Sequence, residues 1–95
     1  MFEAKINAHS SVYAVIEGVA ISLPSTAKYI CQDKRGCWFY CTRRPRIKYN
    51  DWTPNKYPIQ VINESGYVRV LQTEQSPDWQ NTLQTSVKRH HLPQL

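Results

Sequence analysis

The clearest pattern along the chain is a pair of strand-forming runs broken by a turn signal, Ile30-Cys31-Gln32-Asp33-Lys34-Arg35-Gly36-Cys37-Trp38-Phe39-Tyr40. Thirty positions later the arrangement returns in Val61-Ile62-Asn63-Glu64-Ser65-Gly66-Tyr67-Val68. In each, Asp or Asn opens the turn and Gly closes it three residues on, which suits a type I turn followed by a left-handed glycine. The aromatic and β-branched flanks predict two antiparallel hairpins. The flanks match in nothing else, so the recurrence does not establish an internal duplication.

The first hairpin has a definite expected register. With Asp33 opposite Cys37, Cys31 faces Phe39 and Tyr29 faces Cys41, and side chains alternate between faces along each strand. One face then carries Tyr29, Cys31, Cys37, Phe39 and Cys41 and reads as core. The other carries Lys28, Ile30, Gln32, Trp38, Tyr40 and Thr42. Its two rings call for a cover, from a C-terminal helix or another segment; uncovered, they are anchors for a partner.

Towards the C-terminus, Ser76-Pro77-Asp78 reads as a helix start, with Ser as cap, Pro in the first turn and Asp at the positive end of the dipole. Trp79, Leu83 and Val87 recur every fourth residue as an apolar stripe. Lys88, Arg89, His90 and His91 suit a helix end, and Pro93 forbids continuation. Near the N-terminus, Val12-Tyr13-Ala14-Val15-Ile16 and Val19-Ala20-Ile21-Ser22-Leu23 read as two strands joined at Glu17-Gly18. A helix capped by Ser10 or Ser11 and running to Leu23 is the alternative. Residues 43–58 contain Pro45, Pro54 and Pro58 and read as a long irregular excursion with a short strand over 46–49. The expected fold class is α+β: a small antiparallel sheet of β-hairpins with one C-terminal helix packed against it, in a single domain of residues 1–95.

Composition supports a folded globular chain, with 41% hydrophobic and 20% charged residues. The most apolar stretch, residues 12–23, is interrupted by Glu17 and Gly18 and falls short of the roughly 18 apolar residues of a membrane span. No membrane association is expected. Residues 1–5 lack the basic start and apolar block of a secretion signal, so the expected location is the cytoplasm. Cys31, Cys37 and Cys41 are odd in number, are not directly opposed in the hairpin register and lack the short knuckle spacing of zinc sites. They read as reduced, structural thiols, and no cofactor or metal is expected.

Charge is the feature that points to function. Eight of the twelve basic residues fall between positions 28 and 56, opposed there only by Asp33 and Asp51, so this stretch carries +6 and the rest of the chain −1. The candidate binding residues are Lys28, Lys34, Arg35, Arg43, Arg44, Arg46, Lys48, Tyr49, Trp52 and Lys56. Arginine offers a planar fork to phosphate or carboxylate, and aromatic rings stack on unpaired bases or fill a protein pocket. Catalysis is not expected: no Cys–His signature, paired carboxylates or phosphate-cradling glycine loop is present.

The run over residues 28–40, with Arg44-Pro45 and Asp51-Trp52 after it, resembles a β-meander pattern of small phage-encoded accessory proteins. Size and the lack of a catalytic signature also resemble anti-CRISPR proteins, a group without a common sequence signature, so no functional residue carries over. The resemblance implies a non-enzymatic inhibitor in the cytoplasm of an infected bacterial host. Such an inhibitor binds a host protein or ribonucleoprotein complex and blocks nucleic-acid access. The alternative is a domain that contacts DNA or RNA directly.

Overall fold

A computed structural model describes residues 3–4 and 12–88. The strands, in chain order, begin with β1 (Glu3–Ala4), β2 (Val12–Ile16), β3 (Val19–Leu23), β4 (Tyr29–Gln32) and β5 (Trp38–Cys41). They continue with β6 (Arg46–Lys48), β7 (Asp51–Thr53), β8 (Lys56–Pro58), β9 (Gln60–Ile62) and β10 (Val68–Val70). Among the described residues a single 3-10 turn, Trp79–Asn81, precedes β11 (Gln84–Thr85) and β12 (Val87–Lys88). Every paired strand runs antiparallel, in sheets ordered β12-β2-β3, β11-β4-β5-β8, β1-β9-β10 and β6-β7.

The hairpins form as their turn chemistry dictates. Tyr29 pairs with Cys41 and Cys31 with Phe39. Asp33 Oδ1 accepts the amides of Arg35 and Cys37 at 2.9 and 3.0 Å, fixing the turn. Asn63 Oδ1 does the same for Ser65 and Tyr67 at 2.9 and 3.0 Å in the β9–β10 turn. Residues 12–23 are strands, not a helix, and their Glu17-Gly18 connection has φ of 50° and 79°. Positive φ at both central residues is what a type I′ hairpin turn requires.

Both faces of the β4–β5 hairpin are covered. Ile30 and Trp38 join Val12, Ala14, Ile16, Ile21, Leu23, Ile59, Val61 and Leu71 in one core. Cys31, Phe39 and Cys41 join Trp52 and Trp79 in a second. The cover over Trp38 is therefore the β2–β3 hairpin and the 59–71 segment, while Tyr40 stacks on Tyr57 with ring centroids 5.4 Å apart.

Among the described residues the expected C-terminal helix is absent, and the class is mostly antiparallel β, not α+β. Its start signal operates for one turn only: Asp78 N donates to Ser76 Oγ and Asn81 N to Asp78 O. Thr82 then closes the turn, donating its hydroxyl to Trp79 O at 2.7 Å and accepting the amide of Gln32 at 2.8 Å. From there an extended chain pairs Gln84 with Ile30 and Thr85 with Tyr29, then Val87 with Tyr13. A helix would leave the outer edges of β4 and β2 unpaired, and Asn81, Thr82, Thr85, Ser86 and Val87 are weak helix formers. Of the apolar stripe, Trp79 is buried, Leu83 half-buried and Val87 exposed. The end-capping role of Arg89, His90 and His91 falls outside the described residues.

Residues 43–58 are also more regular than expected. The short strand over 46–49 is present as β6, and it pairs with β7 across Tyr49-Asn50, which have φ of 54° and 59°.

Candidate nucleic-acid interface

The β6–β7 ribbon is the element that organises the basic residues. Directly opposed residues of an antiparallel pair share a face. Ile47 opposes Trp52 on the inner face, whereas Arg46 opposes Thr53 and Lys48 opposes Asp51 on the other. Trp52 is only 5% exposed and meets Trp79 edge-to-face, with centroids 6.2 Å apart. Its Nε1 donates to the Gln32 carbonyl at 2.8 Å, which ties the ribbon to β4. Arg46 and Lys48 point the opposite way and are exposed.

The ribbon spans the length of the central hairpin. At one end the Arg44 guanidinium lies 5.9 Å from the Tyr29 ring centre. Exposed Lys28, whose amide bonds Cys41 O, and exposed Arg43 lie at that same end of the sheet. At the other end the Tyr49-Asn50 tip meets the β4–β5 turn across an open cleft of ≈ 310 Å³, lined by Asp33, Lys34, Arg35, Tyr49, Asn50 and Asp51.

Two ion pairs form among the described residues, and they neutralise only part of the charge. Asp33, itself buried, accepts Nε and Nη2 of Arg35 at 3.2 and 3.0 Å. That hydrogen bonding raises the Arg35 pKa above its ordinary value. Asp51 pairs with Lys56. Burial opposes ionisation of Asp51, but hydrogen bonds from Lys56 and from the Trp52 amide outweigh it, and its pKa falls below the usual carboxylate value. Lys56 Nζ also lies 4.6 Å from the Phe39 ring centre, so this lysine serves the interior.

The ten expected binding residues thus divide. Trp52 and Lys56 hold the ribbon down and are not surface anchors. Lys28, Lys34, Arg35, Arg43, Arg44, Arg46, Lys48 and Tyr49 remain on the exterior. Asn50 joins them at the tip. Its signal was in the sequence: Asn after Tyr49, between the alternating triplets Arg46-Ile47-Lys48 and Asp51-Trp52-Thr53, is a two-residue hairpin turn.

Cys31 and Cys41 lie inside, beneath this surface, and Cys37 closes the β4–β5 turn. All three are free, and Cys31 and Cys41 are buried in the second core. The neighbouring Cys41 thiol, as hydrogen-bond partner, and burial push the Cys31 pKa well up. The same bond lowers that of Cys41. Among the described residues, no three His, Cys, Asp or Glu side chains are grouped to hold a metal ion. Nor is any described helix long and apolar enough to cross a membrane. No protein family, curated protein or solved structure matches this chain.

Proposed function

We propose that this protein is a non-enzymatic binding domain that lays its β6–β7 ribbon along the phosphate backbone of a nucleic acid. The observation that carries the reading is the pairing of Arg46 and Lys48 on one exposed face of a ribbon whose other face is anchored by Trp52. A rigid row of cations costs little conformational entropy on binding, and phosphate neutralisation releases counterions. In the setting implied by the anti-CRISPR resemblance, the nucleic acid is the one held by a host defence ribonucleoprotein in the bacterial cytoplasm. Bound there, the domain blocks access to it.

Two measurements test the reading. Affinity for a nucleic acid should fall with salt at a slope of about −3 to −4 in log–log form, as about four to six phosphate contacts on a single strand require. The Arg46→Glu, Lys48→Glu variant should keep its fold and lose binding; normal binding by that variant removes the ribbon from the interface. Pull-down from a bacterial lysate, with and without nuclease, separates the settings. Capture that survives nuclease means that a protein surface supplies the contacts.

A further inference from the structure

The ribbon tip contains a choice that the fold does not explain. Tyr49 stands at the first central position of the β6–β7 turn with φ of 54°, a conformation that Asn or Gly adopts readily and a bulky aromatic residue does not. The ring is 90% exposed, so it contributes almost no burial in return. Glu17 occupies the same position in the β2–β3 turn, but a carboxylate is content in water and an aromatic ring is not.

One cation lies over this ring and two more line its cleft. Lys48 Nζ lies 5.4 Å from its centre, and Lys34 and Arg35 line the same cleft. Asp33 holds Arg35 in place while leaving its side chain 66% exposed, and Asp51 is engaged by Lys56. Lys34 and Lys48 have no carboxylate partner among the described residues.

We infer that the cleft between the β4–β5 and β6–β7 turns receives one unpaired nucleotide, its base stacked on Tyr49 and its phosphate held by Lys34, Lys48 and the outer edge of Arg35. The ligand of the ribbon is therefore single-stranded nucleic acid and not duplex, whose bases are already stacked and offer no free face. This inference rests on the phosphate-binding reading of the ribbon and sharpens it. Base–aromatic stacking of this kind tolerates any sequence.

The test uses fluorescence anisotropy with a labelled oligothymidine of about twelve nucleotides, within the usual site sizes, and a duplex of equal length. The wild type should prefer the single strand. Tyr49→Asn supplies the residue that the turn prefers, so thermal stability should hold or rise, while single-strand affinity falls about tenfold. Duplex affinity should fall less than single-strand affinity, the salt slope should stay the same, and Tyr49→Trp should restore single-strand binding. Undiminished single-strand binding by Tyr49→Asn, or a wild-type preference for duplex, overturns the stacking site. If Arg46→Glu, Lys48→Glu still abolishes binding in that case, the ribbon reading stands without it. Failure of the wild type to bind either oligonucleotide overturns both.

Discussion

The indole nitrogen of Trp52 donates to the main-chain carbonyl of Gln32 across 2.8 Å. The same carbonyl receives only a long 3.4 Å contact from the Thr82 hydroxyl. The Gln32 side chain, in turn, reaches the Gly36 and Glu74 carbonyls and the Thr73 hydroxyl at 3.2, 3.1 and 3.0 Å. One buried residue therefore connects the ribbon, the central hairpin and the segment after β10.

Trp52→Phe keeps a ring in the second core but removes this donor. A buried carbonyl left with one weak partner costs about 1–2 kcal/mol. At about 4–8 °C per kcal/mol for a domain of this size, Tm should drop by roughly 5–15 °C in a calorimetric scan. An unchanged Tm would mean that the bond contributes nothing to folding.

Gly36 and Gly66 close similar turns yet should respond differently to alanine. A Cβ on Gly36 would sit 2.2 Å from the Thr73 carbonyl oxygen, whereas one on Gly66 meets nothing within 4 Å. Both have positive φ, so both substitutions strain the backbone. Gly66→Ala should cost about 1 kcal/mol from backbone strain, and Gly36→Ala about 1–3 kcal/mol more from the clash. Equal losses in urea titrations would contradict the close approach of residue 73.

Acid should reveal the Asp51–Lys56 pair. The folded-state pKa of Asp51 lies below its ordinary value, so its contribution is present above about pH 4 and disappears as pH falls through the folded value. Asp51→Asn should therefore show a flatter dependence of stability on pH below about 4. Because the carboxylate is half exposed, the difference should not exceed about 1 kcal/mol. Parallel acid-unfolding curves for the two proteins would remove the pair from the stability of the fold.

Native alkylation should discriminate among the thiols. Cys37 is half-buried, while Cys31 and Cys41 are free thiols only 0% and 1% exposed. Iodoacetamide should give a single adduct, at Cys37, in native protein and full labelling after unfolding, as read by peptide mass spectrometry. Native labelling of Cys31 at a comparable rate would require the second core to open readily.

Local chemistry made much of this fold readable. The register of β4–β5 followed from Asp33 and Gly36, and that of β9–β10 from Asn63 and Gly66, because an Asx side chain bonding two amides sets a turn without help from distant residues. The core face of the first hairpin followed from alternation alone. The C-terminal segment could not be read this way, since the open edges of β4 and β2 outcompete a helix only once those strands exist. Trp52 misled for a related reason. It lies in the basic, ring-bearing stretch that reads as a binding surface, but an indole beside the carbonyl of residue 32 finds a better place inside. The positions of the exposed cations were legible in the sense that they lie where charge density was highest, while their arrangement along one ribbon came from the pairing of β6 with β7.

The β4–β5 hairpin is a party wall between two hydrophobic compartments. Neither compartment can melt without exposing the back of the other, so the ribbon should not peel away as an independently folding unit. Amide exchange at Ile30, Cys31 and Phe39 should then report the global unfolding free energy, with the outer ribbon inheriting its rigidity from residues deep in both cores.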